Sequence, residues 1–395
     1  MSELCASLPV NLLKKAVQTA LRAVLSKSGL PILTFCRIKA HGEGISILAT
    51  DLEIWVEAKL SAPPDAPGEV AVPAKWLSEL LGKLPTDALV LLRQEGTVLH
   101  LKCGGAKYKV LGLPADEFPV LPSAVGVRFP FAAPVLAGAL SRSLYAASKD
   151  QMRAVLCGGD CHFSLEGLKI ACSDTHRLAI AACPLHLAEG MATDAQEIGS
   201  GAETHALIPA TSLLQMRAML DGARRAFLSV TQAKTPGSEH IKTFFRAEVE
   251  GEIAVTLYSR LIDGQAPNFE RVIPAHHDGT ITCQRQPLID AVERALLVAR
   301  DSARRVVVTP GPDVLTLSAE SVSTGSADEV VDCIQEGQTG AFCADGHYLL
   351  EALKALDGEG VRFEVPDSPL LPFVLRGTGD AGENDTVVLM PMQIV

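Results

Sequence analysis

The sequence predicts an α+β chain made of three copies of one local plan, each with helices and antiparallel sheet. Three observations carry this. Amphipathic helical segments recur at 10–25, 133–148 and 286–301. Each is followed by two alternating strands around a tight turn. Each strand pair is followed by a second helical segment. A fixed order of elements that recurs along a chain marks an internal repeat.

The first helix reads VNLLKKAVQTALRAVL. Val10, Leu13, Val17, Leu21 and Val24 recur at helical spacing, with Lys14, Lys15, Gln18 and Arg22 opposite. Its counterparts are APVLAGALSRSLYAAS and QPLIDAVERALLVARD. The strand pairs are CRIKAHGEGISILATD (36–51), CHFSLEGLKIACSD (161–174) and RVVVTPGPDVLTLSAE (305–320), alternating about turns that contain glycine. Asp51, Asp174 and Glu320 close them. The second helices are introduced by VPAKWLSELLGKLP (72–85), IPATSLLQMRAML (208–220) and CADGHYLLEALKAL (343–356). Pro73 and Pro209 suit helix starts. Residues 89–113 form a further strand group with two turns, and LPADEFPVLP (113–122) and LIDGQAPNFERVIP (261–274) read as matching exits. The predicted domains are therefore 1–125, 126–275 and 276–395, with a Gly- and acid-rich loop at 188–205.

Composition narrows the class. The chain has 395 residues, 48% hydrophobic and 21% charged, too long for one core at roughly 150 residues per domain. No run approaches the ~20 apolar residues of a membrane span. The start MSELCASLPV carries Glu3 and no basic segment ahead of an apolar run, which predicts no secretory signal. Ten cysteines without a disulfide-scaffold rhythm suit a reducing cytoplasm. The net charge of −11 alone argues against nucleic acid and anionic membranes. Its distribution reverses that inference. Counted with their flanks, as 10–27, 73–85, 132–149, 209–225, 284–305 and 344–356, the six helical segments together carry +10, leaving −21 elsewhere. A basic helical face would hold phosphates without reading bases, beside an acidic exterior.

Seven motifs in order across the repeat carry a resemblance. They are LPIL (30–33), ILATDLEI (47–54), VPAKWLSELLGKLP, LPADEFPVLP, CSDTHRLA (172–179), SRLIDGQAPNFERVIP (259–274) and VVLMPM (387–392). Together they resemble the sliding clamp family, the beta subunit of DNA polymerase III. The resemblance implies a head-to-tail homodimeric ring, helices lining the hole and sheets outside, with duplex DNA passing through. It implies no catalysis, no cofactor, no metal and no membrane. It implies partners that insert a short peptide: the DNA polymerase III alpha subunit, the clamp loader and other proteins with a clamp-binding motif. The implied peptide pocket comprises Leu156, Ser173, Thr175, His176, Arg177, Leu178, Pro267, Arg271, Val272, Val292, Tyr348, Val388, Leu389, Met390, Pro391 and Met392. Expected phosphate contacts are Arg22, Lys27, Lys83, Lys149, Arg153 and Arg217. Tyr108 and Val110 are expected at the dimer interface, with Leu288 on the opposite side. Thr175 stands where the family usually has glycine, and Glu270 and Gln393 where basic residues are common. These departures leave a specialised paralogue for repair or drug tolerance as an alternative.

Other readings compete for the same residues. Ser173, Asp174 and His176 have the types of a hydrolase triad, but neighbours at a strand end point to opposite faces. Asp174 reads better as a turn or capping residue, with Asp51 matching it. Cys157, Cys161 and His162 look metal-like but lack a second spaced pair. Gly104-Gly105 lacks the phosphate-loop pattern and reads as a hairpin turn. The uncharged end TVVLMPMQIV is either core or a surface that something binds; the resemblance implies the second.

Overall fold

The computed structural model describes residues 3–122, 126–186, 203–234, 241–379 and 385–394. The boundary expected near 125 and most of the loop 188–205 lie outside them. Among the described residues there are six α-helices, and each directly follows a strand. Strands Cys5–Pro9, Phe129–Ala132 and Gly279–Gln284 lead into α1 (Val10–Ala20), α3 (Ala133–Leu144) and α5 (Arg285–Val298). Strands Gly68–Pro73, Thr204–Pro209 and Phe342–Asp345 lead into α2 (Ala74–Leu81), α4 (Ala210–Met219) and α6 (Gly346–Ala355). Pro73 and Pro209 thus end a strand immediately before the first helical residue. The first helix is shorter than its periodicity suggests. It tightens to a 3-10 turn over Leu21–Ala23, so Ala20 and Ala23 face the core while Leu21 and Val24 are only half-buried.

Packing divides the chain into two compact units. The first holds Met1–Ala137, Leu185–Thr204 and Leu214–Leu261. The second holds Gly138–Pro184, His205–Leu213 and Ile262–Val395. The repeat of local plan is threefold, yet the middle copy shares its strands between the units.

In the first unit, one sheet has four strands in the order Cys5–Pro9, Leu89–Glu95, Val98–Cys103, Ala106–Leu111. A second sheet has eight. Gly68–Pro73, Phe35–His41, Gly44–Thr50 and Ile54–Leu60 come from the first copy. Ala254–Arg260, Ile241–Glu250, Arg225–Lys234 and Phe129–Ala132 continue it from the middle copy. The seam is the antiparallel pairing of Ile54–Lys59 with Ala254–Ser259.

The second unit has one run of twelve strands with a matching seam. Arg177–Ile180 pairs with Thr386–Leu389, joining the middle copy to the last. Both strands that enter a seam from the left, Ile54–Leu60 and Arg177–Pro184, are almost wholly buried. Both are buried on both faces over most of their length, so burial along them does not alternate.

The same turn precedes both seams. Asp51 Oδ1 accepts from the backbone N–H groups of Glu53 and Ile54, at 2.9 and 2.7 Å. Asp174 Oδ1 accepts from those of His176 and Arg177, at 3.0 and 3.1 Å. Thr50 and Ser173 each donate a hydroxyl to the carbonyl four residues on. Both turns need one residue in the left-handed region: Leu52 at φ 75° and Thr175 at φ 79°. Non-glycine residues adopt this region at a cost. The turn geometry explains why glycine suits position 175.

Replacing Asp51 or Asp174 with alanine removes an acceptor for two backbone N–H groups. Each change is expected to cost about 1–2 kcal/mol in urea unfolding. Asp174→Ala should cost more, because Asp174 also pairs with Arg177. Unchanged midpoints for both would contradict this account of the turns.

Candidate functional site

The uncharged chain end is both core and surface. Thr386–Leu389 is buried throughout, between Phe373–Leu375 and Arg177–Ile180. From Met390 the chain emerges: Met390 is 41% exposed, and Pro391 and Met392 are half-buried. Two backbone bonds pin this segment. Met390 N–H donates to the His176 carbonyl at 2.9 Å, and Met392 N–H to that of Cys343 at 2.8 Å.

Beside the seam lies an apolar cluster, all within the second unit. Leu178 and Val388 stand directly opposite each other in the register. They pack with Leu156, Ala171, Ile180, Phe269 and Val374. Val155, Ala266 and Ile273 are only half-buried against this cluster. Pro267, Arg271 and Val272 are exposed on the turn around Phe269. The structure thus brings together Leu156, Leu178 and Val388, as expected. It adds Ala171, Ile180, Phe269 and Val374, whose ordinary apolar types gave no separate signal.

Arg177 ties the turn to α6. It is buried, with Nε 3.1 Å from Asp174 Oδ2 and one guanidinium nitrogen on Glu351. Another donates to the Tyr145 carbonyl at 2.8 Å. Its guanidinium lies 4.5 Å from the Tyr348 ring centroid and 5.1 Å from that of Tyr145, in reach of cation–π attraction. Burial pushes both phenols above their usual range, with Arg177 pulling against it. The exposed His176 ring stacks on Tyr348, centroids 6.0 Å apart. Thr175 Oγ1 accepts from Arg153 at 3.3 Å, and Arg153 Nε lies 3.2 Å from Asp150. Arg153, expected at DNA, is therefore engaged beside this turn.

These residues suit non-covalent recognition of apolar side chains. Ser173 Oγ donates to the Arg177 carbonyl, Asp174 holds the turn and Arg177, and His176 stacks on Tyr348. They form a turn, with no base oriented toward a nucleophile. Cys161 is fully buried in the core, and Cys157 Sγ–H donates to the Asp150 carbonyl. Among the described residues no group of three or more His, Cys, Asp or Glu could hold a metal. Val292 and Leu288 both lie fully buried on the core face of α5. Val292 therefore presents no surface to a ligand, and Leu288 none to a partner chain.

The helical cations divide in two. Arg142 pairs with Asp357 and Asp385, Arg294 with Glu329, Arg304 with Asp345 and Lys354 with Glu293. Arg285 donates to the carbonyls of Gly358 and Leu353. The count of +10 thus overstates the charge open to a ligand. Arg22, Lys27, Lys83 and Arg217 are exposed in the first unit and Lys149 in the second. Arg22 donates to Gln215 Oε1 at 3.1 Å and lines a cavity of about 320 Å³ with Lys15, Gln18, Asp221 and Glu252.

The strand Ala106–Leu111 ends the four-stranded sheet. Val110 faces inward, Tyr108 is half-buried, and Lys107, Lys109 and Leu111 face out. Lys107 stands opposite Lys102, and Lys109 opposite His100, which also faces Arg93. This outer face is basic, contrary to the uniformly acidic exterior that the charge count suggested.

No helix among the described residues is long and apolar enough to cross a membrane. The family model for the N-terminal domain of the DNA polymerase III beta subunit matches residues 8–122. The model for its C-terminal domain matches 270–393, so the two cover more than half of the chain. The beta sliding clamp of Synechococcus elongatus is 27% identical over 389 residues, 97% of this chain and 98% of that protein. That of Pseudomonas aeruginosa is 28% identical over 387 residues, with the same shares. A crystal structure of the DNA polymerase sliding clamp from Pseudomonas aeruginosa with ligand superposes at TM-score 0.85 with 25% identity, over 99% of this chain and 100% of that one. The sliding clamp of Bacillus subtilis gives 0.86 at 24%, a likeness of fold over 100% of both chains.

Proposed function

Because this chain belongs to the DNA polymerase III beta subunit family, we propose that it is a sliding clamp. It encircles duplex DNA as a head-to-tail dimer and tethers a polymerase to its template. The repeats that assemble this way are taken as 1–125, 126–275 and 276–395.

The observation that carries ring closure is an unfinished pattern of seams. At each seam the strand after the central turn of one copy pairs with the last strand of the next copy. Two strands of these types are left over. Ala106–Leu111 is the last strand of the first copy and pairs on one side only. In the third copy, Gly325–Asp332 also pairs on one side only among the described residues. Joining them between two chains repeats the seam and hides two open edges. Tyr108 then serves at the interface with its side chain and Val110 with its backbone edge, and Gly325–Asp332 takes the place first expected for Leu288. Charge favours the match. Lys107 and Lys109 face out on one edge, and Asp328 and Asp332 on the other. The edges attract unlike chains' ends and discourage like-to-like pairing.

Arg22, Lys27, Lys83, Lys149 and Arg217 supply phosphate contacts, adding salt-dependent affinity without base readout. Topology rather than affinity keeps the dimer on DNA. The groove beside Thr386–Met392 takes a short apolar segment of the polymerase alpha subunit, the clamp loader or other partners. Methionines at its border repack around different side chains. Arg153, Thr175 and His176 stand at its rim. The specialised-paralogue alternative draws on Thr175, Glu270 and Gln393. Glu270 pairs with Lys169 at the surface, and Gln393 is exposed.

Sedimentation tests the interface. Lys107→Glu with Lys109→Glu should shift the protein toward monomer, by about tenfold or more in dissociation constant. Tyr108→Ala with Val110→Ala should do the same. Combining the Lys changes with Asp328→Lys and Asp332→Lys should restore the dimer. Charge reversals without effect would exclude this pairing of edges.

A labelled peptide rich in Leu and Phe tests the groove. Deleting Met390–Val395 removes the pinned segment and two backbone bonds while leaving Thr386–Leu389 paired on both sides. Micromolar binding needs about 8 kcal/mol, and each lost apolar contact removes roughly 1.5–3 kcal/mol. Affinity should fall at least a hundredfold in a protein that stays dimeric, and Thr175→Gly should widen the range of peptides accepted. Undiminished affinity after the deletion would rule out the groove as the docking site.

A further inference from the structure

The two seams are built alike but filled differently. Their registers superpose through the shared turn: Thr50 opposes Trp55 as Ser173 opposes Leu178. Trp55 opposes Tyr258 as Leu178 opposes Val388. In the flanking hairpins Leu48 opposes Arg37 as Ala171 opposes Asp160. Phe35 and Gly158 each open the strand two residues before those partners. The exits supply Phe118 and Phe269, both buried.

At three matched positions the second unit therefore has Ala171, Leu178 and Val388, and the first unit has Leu48, Trp55 and Tyr258; at a fourth, Gly158 against Phe35, the side-chain space is taken by Ile262. Every residue of the first set is smaller than its counterpart. In the first unit Leu48, Trp55, Phe118 and Tyr258 form one cluster with Phe244, and Phe35 packs against it. Trp55 meets Phe244 edge-to-face at 5.8 Å, a favoured aromatic geometry. Trp55 is 5% exposed, and its Nε1–H is buried without a hydrogen-bond partner among the described residues. An orphaned buried N–H is unfavourable, so a tryptophan is a poor choice for seam packing alone. What it contributes over leucine is volume.

We propose that the first unit carries a second copy of the peptide groove, stoppered by the chain's own Trp55 and Tyr258. Trp55 sits where Leu178 lies under the proposed groove in the second unit, and Tyr258 where Val388 does. The stopper confines peptide docking to one groove per chain. Its removal creates a second site for the same class of ligand, a short segment bearing Leu and Phe side chains. This inference rests on the reading of the second unit's groove as the peptide site.

The test is binding stoichiometry by calorimetry on the full-length dimer, with a Leu- and Phe-rich peptide as probe. Wild type should take one peptide per chain. Trp55→Leu with Tyr258→Val reproduces the pair found in the second unit and should take two. Trp55→Leu alone is the milder variant should the double variant fold poorly, which circular dichroism and sedimentation report. It should add a second, weaker site. With Met390–Val395 also deleted, the variant should keep one peptide per chain, at the new site. A second site absent from every folded variant overturns the proposal, as does wild type binding two. Wild type binding none, with no rise in the variants, fails the second-unit groove and this inference together. Wild type binding none while the variants bind one fails only the second-unit groove.

Discussion

The structure depends on antiparallel pairing between strands of successive copies. Ile54–Lys59 with Ala254–Ser259, and Arg177–Ile180 with Thr386–Leu389, turn separate small sheets into continuous ones. A single copy would leave open strand edges and a thin core, both unfavourable in a small domain. Pairing satisfies the backbone groups on each edge and buries the side chains of both strands. It also explains why compact packing divides the chain at the middle of its second copy. The same constraint leaves two complementary edges unfilled, the pair proposed above to join between two chains.

Function follows from what the seams leave open. The strand that completes the second unit's sheet is the chain's last, so the residues after it must emerge beside the seam. Met390–Met392 consequently emerges beside the buried apolar cluster that holds Leu178 and Val388. Arg177, stacked between Tyr145 and Tyr348 and paired with Asp174 and Glu351, fixes the turn against α6. Removing either carboxylate leaves the buried guanidinium short of a partner, which is unfavourable. The proposed groove would rest on this scaffold.

Much of this was legible in the sequence. The hairpins showed through alternation, because one face of each strand is buried. Asp51 and Asp174 were legible as turn residues, since a short carboxylate suits two neighbouring N–H groups. The strands Ile54–Leu60 and Arg177–Pro184 were less legible, because strands buried on both faces lose their alternation. Charge was legible only as a sum. Counting side chains cannot tell Lys27, which is exposed, from Arg142, which is committed to Asp357 and Asp385. Nor could it reveal that Arg93, Lys102, Lys107 and Lys109 share a face, which depends on strand register. Leu288 and Val292 fall on the i, i+4 apolar stripe of α5, whose spacing marks them as core.

The central claim is that two chains close around duplex DNA and are held there by topology. Its most direct measurement is retention on DNA of different topology. Protein loaded by a clamp loader onto singly nicked circular DNA is passed through a gel-filtration column at moderate salt, before and after a restriction enzyme linearises the circle. The account predicts co-elution with the circle and release from the linear form as the ring slides off its ends. Equal retention on both forms, or retention on neither, would contradict it.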